Sequence, residues 1–367
     1  MATADPRRRR LIVLGSIALV SVIAVGGVIW QQAREAASRP AQTEFLPGFA
    51  GEVRNVAHLH IASKQGAFDV VFVPEKGWVV PQRADYPANF DLVQRTRVGL
   101  AALQTIEPRT ARKDWLHFLG LDSPPLGDGV LITASDDKGK VLAQIIAGKS
   151  EDIGDPSGAT GLFVRRPGEN QSWLTRAVFE PRAALNDWLD KRVLDVDRAR
   201  IQAVDVDPAG SASYSVSRAK PSDADFTLAP LPKGKAPSDP TVPDGVAAAI
   251  ADFGFDDVAP ARTLDFSNPA THARVTTRTF DGLRVTVLVT HPANAYWAEV
   301  SAEALNPMDH ENIKEAAQIN AHASGWAYKL PAFKGQLFMT TLDDLLKPPA
   351  APPQGMPMQG MPAPGSP

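Results

Sequence analysis

Short runs in which apolar and polar residues alternate dominate this chain after residue 45, and they are typical of half-buried β-strands. Val56, Leu59 and Ile61 lie on one side of such a run, and His58 and His60 lie on the other. Three further segments place apolar runs on both sides of a turn that contains Gly, Pro or Asp, and each predicts a β-hairpin: residues 68–80, 130–148 and 161–175. Antiparallel neighbours are therefore expected to dominate the sheets.

Three helices are predicted in the first half of the chain. Asp91 starts the first, over residues 91–105, with Gln94 in the spacing of a capping box. The second covers residues 111–120 and ends at its glycine. The third covers residues 180–194 and begins near its proline.

Residues 306–325 carry the clearest helix signals in the chain. Asn306 is a favoured N-cap residue, Pro307 fits the first helical position, and Asp309 suits the positive end of the helix dipole. A glycine closes the segment, as is common at helix C-termini. Residues 326–346 then predict a strand and a short helix.

The order of elements in the first half recurs after residue 200. At a constant offset of 145, the first strand repeats as Ile201, Val204 and Val206 for Val56, Leu59 and Ile61. Further along the second copy, Phe226 and Leu228 correspond to Trp78 and Val80 of the first. The helix at 246–253 corresponds to the helix at 93–100, and the hairpin at 273–289 corresponds to the hairpin at 130–146. Elements that keep both order and spacing indicate two copies of one α+β unit, the second carrying a loop insertion at 230–245.

The chain begins with an uncharged stretch, residues 11–30, which follows Arg7–Arg10 and ends at Trp30. Twenty helical residues span roughly 30 Å, the thickness of the bilayer hydrocarbon. The preceding arginines outweigh Arg34 and Arg39, so we expect a cytoplasmic N-terminus and an extracytoplasmic body. A cleaved signal peptide and a buried core helix are the alternatives.

The predicted fold class is α+β: an N-terminal transmembrane helix, two repeated mixed α/β units with largely antiparallel sheets, and a disordered tail rich in Pro and Met. The segments are a basic cytoplasmic N-terminus (1–10), a transmembrane anchor (11–30), a tether (31–44), a first unit (45–194), a second unit (195–346) and the tail (347–367). The expected location is a membrane crossed once by residues 11–30, with the N-terminus in the cytoplasm and the body outside it.

Composition removes several classes of function. The chain of 367 residues contains no cysteine, which excludes disulfides and thiolate metal sites. The formal net charge is −3, and after residue 30 there are 34 basic and 40 acidic residues. A mildly acidic body is not expected to bind nucleic acid, because phosphate contacts need a basic face.

Two motifs invite a ligand assignment. The segment AGKSE (147–151) resembles a phosphate loop, but Ala143 stands where that motif has glycine, and prolines and glycines follow where a helix is needed. No nucleotide is therefore expected. His58 and His60 could form a metal pair, but no third ligand is evident nearby and the second copy has Ala203 and Asp205 there, so an exposed strand face is expected.

The remaining candidate motifs are incomplete. The calcium-like DVDPAG (205–210) lacks its later acidic ligands, and HENIK (310–314) lacks the second histidine of a zinc-protease helix. Ser135 and Lys138 have a catalytic spacing but lie in a predicted hairpin turn. Three methionines in MPMQGMP (356–362) could bind Cu(I), although such residues also occur in plain disordered tails. No catalytic, cofactor-binding or metal-binding residue and no cofactor is predicted.

Tryptophans offer one further possibility, a surface on which sugars stack. The candidates lie on predicted amphipathic elements, so core positions are expected for them: Trp78, Trp173, Trp188, Trp297 and Trp326.

Several long segments resemble the bacterial family known as domain of unknown function 4340. They include FLPGFAGEVRNVAHLHI, GWVVPQRADYPAN, WLDKRVLDVDRARIQAVDV and GWAYKLPAFKGQLFMTTLDDLL. The residues that carry the resemblance are Trp78, Tyr86, Pro87, Gly120, Trp188, Leu189, Trp326 and Tyr328. The resemblance covers nearly all of residues 45–347. It implies an envelope protein with one N-terminal membrane segment, of no established activity, often encoded beside ABC transporters of the gliding-motility or exporter type.

These observations predict a non-enzymatic, membrane-anchored extracytoplasmic accessory subunit of an envelope assembly, associated with an ABC-type transporter. Its expected partners are the membrane, through residues 11–30, and a protein of the inner membrane or periplasm. The alternative is a periplasmic module that binds glycan or lipid. An exposed apolar patch would favour the subunit, and an apolar cleft would favour the binding module.

Overall fold

A computed structural model describes residues 43–251, 253–268 and 271–346. The predicted anchor (11–30) and the tail (347–367) lie outside these described residues. Within them, no helix is both long enough and apolar enough to cross a membrane.

The chain forms two compact units that are interleaved in sequence. In the described part of the chain, the first comprises residues 43–80 and Ala88–Trp188, and the second comprises Pro81–Pro87 and residues 189–346. Seven residues from the first half of the sequence therefore belong to the second unit.

The first unit is an antiparallel sheet with two α-helices in its described part. Its strands are β1 (Thr43–Glu44), β2 (His58–Ser63), β3 (Gly66–Val73), β4 (Gly77–Val80), β6 (Gln104–Pro108), β7 (Val130–Ser135), β8 (Val141–Glu151), β9 (Thr160–Arg165) and β10 (Ser172–Ala177). The helices are α1 (Phe49–Glu52) and α2 (Phe90–Ala101), with 3-10 turns at Val53–Asn55, Lys113–Leu119 and Leu185–Trp188. The strand order is β1-β6-β10-β9-β8-β7-β2-β3-β4.

The second unit contains the two-residue strand β5 (Tyr86–Pro87), a second antiparallel sheet and four described helices. The strands are β11 (Ile201–Asp207), β12 (Tyr214–Ser217), β13 (Thr227–Ala229), β14 (Asp257–Pro260), β15 (His272–Thr279), β16 (Leu283–Thr290), β17 (Trp297–Ala304) and β18 (Trp326–Lys329). The helices are α3 (Val242–Ala251), α4 (His310–Ala323), α5 (Ala332–Met339) and α6 (Leu342–Leu345). The strand order is β13-β12-β11-β15-β16-β17-β18-β14.

The two sheets have the same topology. Read from one edge, the first contains β6-β10-β9-β8-β7-β2-β3-β4 and the second contains β14-β18-β17-β16-β15-β11-β12-β13. Strands β2, β3 and β4, the first three of one series along the chain, occupy the same places in their sheet as β11, β12 and β13 do in the other. The later strands correspond in the same way. The sequence repeat predicts that the two units share one topology, and the two antiparallel sheets with their helices fit the α+β class.

The register of the central strands refines the alignment of the two copies. Leu59 on β2 and Val204 on β11 are both fully buried, and each lies on an interior strand of its sheet. Leu59 pairs with Val70, whereas Val204 pairs with Val216. The offset is therefore 146 on the second strand rather than 145, because the segment between the paired residues Val206 and Tyr214 is one residue longer than the segment between Ile61 and Phe68.

The start of α2 differs from the prediction. The helix begins at Phe90, and the side chain of Asn89 accepts a hydrogen bond from the Leu92 amide at 3.1 Å. Asn89 is thus the N-cap, and the capping box expected at Asp91 and Gln94 is wrong. The helix also ends at residue 101 rather than 105.

The helix predicted over residues 180–194 is wrong, because only a short 3-10 turn forms there. The carbonyl of Trp188 accepts from the Asn89 amide at 2.7 Å, and the Asp190 amide donates to the Pro87 carbonyl at 2.9 Å. These backbone groups are therefore unavailable for a helical ladder, and tertiary pairing overrides local propensity.

Helix α4 forms, but it begins later than the sequence suggests. Asp309 is its N-cap and accepts from the Asn312 amide at 3.1 Å, so the first helical residue is His310. Asn306 instead accepts from the Met308 amide in the preceding turn. Gly325, at φ +82°, follows the helix end in a left-handed conformation, as a C-terminal glycine should.

Residues Pro81–Pro87 contact the second unit through Tyr86 and Arg83, and Tyr86 is buried in its core. The Tyr86 ring is 2% exposed and packs edge-on against Trp326, with ring centres 5.0 Å apart. Its hydroxyl donates to the Asp190 carbonyl at 2.9 Å, and burial raises the pKa of this phenol well above its ordinary value. Arg83 forms a two-pronged ion pair with Asp257, at 2.5 and 2.9 Å.

Two helical glycines of the second unit have opposite surroundings. A Cβ added at Gly335 on α5 would lie 2.0 Å from Cγ of Tyr296, so only a residue without a side chain fits there. A Cβ added at Gly245 on α3 would meet nothing within 4 Å.

Candidate functional site

A His–Asp–His cluster lies on the sheet of the first unit. Nε2 of His58 lies 2.9 Å from Oδ1 of Asp69, and Nδ1 of His60 lies 2.7 Å from the same oxygen. Asp69 accepts both as hydrogen bonds when each of these ring nitrogens carries its proton. The three side chains are about one-third exposed, so this face is half-buried rather than open.

Asp69 is the acidic neighbour that the sequence pattern missed. The turn of Lys64 and Gln65 pairs Ser63 with Gly66, and the same register places Asp69 directly opposite His60. Counting outward from a two-residue hairpin turn would have found this contact. Within the residues described, no group of three or more His, Asp or Glu side chains has an arrangement that could hold a metal ion.

The other sequence motifs lie on regular secondary structure or in turns. The phosphate-loop-like residues 147–151 form the end of strand β8, so no helix N-terminus faces a phosphate there. Lys138 lies in the hairpin turn, as predicted, whereas Ser135 is the last residue of strand β7 rather than part of the turn. Residues 310–314 open helix α4. The methionines at 356–361 lie outside the described residues.

A groove of about 660 Å³ opens in the second unit beside helix α4. Its floor contains the buried side chains of Val193, Leu194 and Phe253, together with Ile319 of the helix. Polar and charged residues complete the lining: Lys191, Arg192, Asp195, Glu315, Gln318 and His322. An apolar floor with a polar rim, in this size range, is the usual form of a site for a small ligand.

Arg200 fixes the helix wall of this groove. Its guanidinium forms ion pairs with Asp281 and Glu315, each at 2.8 Å. These hydrogen bonds, led by the one to Glu315, raise the pKa of Arg200 above its ordinary value despite the opposing effect of burial. Burial alone would raise the pKa of Asp281, but hydrogen bonds from Thr279 and Arg200 lower it overall. Both charges therefore persist at neutral pH.

The tryptophans are distributed unevenly between core and surface. Trp78 and Trp188 are buried, as expected, whereas Trp173, Trp297 and Trp326 are only partly buried. Trp115, which was not among the sequence candidates, is 48% exposed on the 3-10 turn of residues 113–119. The turn lies at the position of the short helix predicted at 111–120, and Gly120, at φ +68°, ends it.

Comparison with known proteins gives one match. No curated protein and no solved structure matches the chain. A family described as "Domain of unknown function (DUF4340)" matches residues 78–276, more than half of the chain. The match covers residues 81–87 of the second unit, strand β11, which contains no histidine, and strand β15 as far as residue 276. It does not cover strands β2 and β3 or helix α4. The chain belongs to the family of domain-of-unknown-function 4340 proteins.

Proposed function

We propose that this protein is a non-enzymatic, membrane-anchored extracytoplasmic subunit of an envelope assembly, associated with an ABC-type transporter in the bacterial inner membrane. Residues 7–30 supply the sequence of the anchor and its orientation signal. The body would then carry the surface that binds the protein partner.

An exposed apolar surface at the start of α4 supports this proposal most directly. We call it the α4-start surface, and it consists of Leu305, Met308 and Ile313, which are 42%, 77% and 40% exposed. Met308 and Ile313 flank the Asp309 N-cap at positions whose side chains commonly pack together. Apolar side chains grouped on a surface are typical of protein-binding sites, and methionine adapts well to a partner.

Purification of the full-length protein in mild detergent tests the partner. We expect inner-membrane transporter subunits to co-elute and to be lost from the Met308→Asp variant. Phe333→Asp is the matched control, because Phe333 is also a strongly exposed apolar residue of the second unit but lies on α5. Elution without a transporter subunit, or equal loss in both variants, would contradict the proposal.

Reporter fusions at residue 45 test the anchor separately. A periplasmic reporter should be active and a cytoplasmic reporter inactive, because Arg7–Arg10 hold the N-terminus in the cytoplasm. The reverse pattern, or a mature N-terminus beyond residue 30, would refute the orientation.

The groove beside α4 favours a second candidate function, a periplasmic module that binds glycan or lipid. Its buried floor would accept an acyl chain or a sugar face, and its charged rim would hold a polar group. Mass spectrometry of ligands extracted from the purified protein tests this function. An Ile319→Trp variant should lose the ligand because the larger ring fills the groove.

A further inference from the structure

An exposed aromatic pair stands on the sheet of the first unit. Trp115 and Phe118 are 48% and 62% exposed, and their rings meet edge to face with centres 6.4 Å apart. Leu116 between them is buried in a small core cluster, so the 3-10 turn is fixed by its inner side while the aromatic rings point outward. We call Trp115 and Phe118 the aromatic pair.

Basic groups surround the aromatic pair. Cζ of Arg112 lies 4.8 Å from the centre of the Trp115 ring, and Nζ of Lys149 donates to the Phe118 carbonyl at 3.0 Å. Arg112 also forms an ion pair with Asp114 at 2.6 Å, and Arg109 forms ion pairs with Glu107 and Glu151. Together with Lys113 and Lys149, this turn and its neighbours therefore carry four basic and three acidic side chains, although the chain after residue 30 is acidic overall. Trp and Phe next to basic side chains match a lipid headgroup region, which takes up amphipathic rings and attracts cations when the lipids are anionic.

The aromatic pair follows the end of β6 towards which the first described residue lies. Thr43 pairs with Thr105 and Glu44 pairs with Gln104 in antiparallel register, so Thr43 is the end of β1 that is nearer to Pro108. The chain leaves β6 at this same end to form the turn that carries Trp115. The twelve residues from 31 to 42 reach at most about 40 Å when extended.

We propose that Trp115 and Phe118 insert into the headgroup region of the membrane that holds residues 11–30, as a second point of membrane contact that orients the first unit. The proposal rests on the membrane anchor of the proposed function. Two shallow rings with basic neighbours would bind too weakly to act alone, but tethering by the anchor raises their effective concentration at the surface.

Lipid-borne quenchers test this contact in the full-length protein. The chain lacks cysteine, so Phe118→Cys gives a single site for an NBD fluorophore, and Trp115→Cys gives a second. Val178→Cys is the matched control: Val178 is 48% exposed but lies beyond the opposite end of β10, about 17 Å from the level of Trp173. The labelled proteins are reconstituted in vesicles of phosphatidylethanolamine and phosphatidylglycerol, with or without a spin label near the headgroup.

Flotation of the vesicles first establishes whether the chain is anchored. We expect the protein to float, and headgroup spin labels to quench NBD at residues 118 and 115 several-fold more than at residue 178. Floating protein without this difference would overturn the membrane contact and leave the anchor intact. If NBD at residues 118 and 115 is shielded from aqueous iodide but is not quenched by the lipid spin label, protein covers the aromatic pair. This result also overturns the membrane contact. Failure to float would overturn the anchor and the contact together.

Discussion

Tyr86 offers a sharp test of the interleaved units, because it belongs to the first half of the sequence but to the core of the second unit. Tyr86→Phe keeps the buried ring and removes the hydroxyl that donates to the Asp190 carbonyl at 2.9 Å. Loss of a buried hydrogen bond that leaves its acceptor unsatisfied costs about 1–2 kcal/mol. Tyr86→Ala also removes the ring from its contact with Trp326, and loss of a buried aromatic side chain costs about 3–5 kcal/mol.

These free energies correspond to measurable shifts in the melting temperature. For a unit of this size, 1 kcal/mol lowers the midpoint by about 2–4 °C, so we expect a decrease of about 2–8 °C for Tyr86→Phe and a larger one for Tyr86→Ala. Hydrogen exchange with mass spectrometry should locate the loss of protection in β18 and β14, which belong to the second unit.

Tyr214→Phe is the matched control in the same unit. Tyr214 is also 2% exposed, but its hydroxyl has no hydrogen-bond partner in the part of the chain that the structure describes. Removal of this hydroxyl should leave stability unchanged or increase it by about 1 kcal/mol. Equal destabilisation by Tyr86→Phe and Tyr214→Phe would refute the role of the Asp190 bond. Exchange that increases only in the first unit would refute the assignment of residues 81–87 to the second.

Three further perturbations test the first sheet, the helices and the ion pairs. Ile61→Ala should lower the free energy of unfolding by about 2–5 kcal/mol in urea titrations, because the Ile61 side chain is fully buried. His60→Ala should lower it by less than about 1 kcal/mol, and a larger loss for His60→Ala would mean that the His–Asp–His cluster is a major stabilising element. Gly335→Ala should destabilise the protein by about 1–3 kcal/mol, because the added Cβ clashes with Tyr296. Gly245→Ala should stabilise it by about 0.5–1 kcal/mol, because alanine favours a helix and meets no neighbour there; the reverse order of melting temperatures would contradict the packing described. Asp155 accepts hydrogen bonds from Arg176 and Ser157, which hold its pKa well below the usual range, so its stabilisation is present above about pH 4 and is lost as the pH falls towards the folded-state pKa. Asp155→Asn should therefore be less stable than the wild type at pH 7, with a difference that shrinks in melts at lower pH; a constant difference would refute the ion pair's contribution.

Local patterns in the sequence were sufficient for much of the fold. Alternation of apolar and polar residues identified the central strands, because one face of a strand must be buried and the other need not be. The buried positions Leu59 and Val204 follow directly from that alternation. The repeat predicted that the two units share one topology, since two copies of one pattern fold around equivalent cores, but it did not predict the strand order.

Boundaries that depend on distant partners were not accessible in this way. Residues 180–194 have helix-favouring residues, but the carbonyl of Trp188 bonds to Asn89, far away in the sequence. The N-caps of α2 and α4 differ from the predicted ones because several Asn and Asp residues compete for the position, and the competition is decided by how the helix packs.

The sequence by itself determined the class of the fold, its duplication and the charge pattern of the N-terminal segment, because each of these is set by neighbouring residues along the chain. Only the tertiary structure decided two other features: the position of Tyr86 in the second unit and the outward direction of Trp115. Packing between segments that are far apart in the sequence sets both features, and no local run of the sequence expresses it.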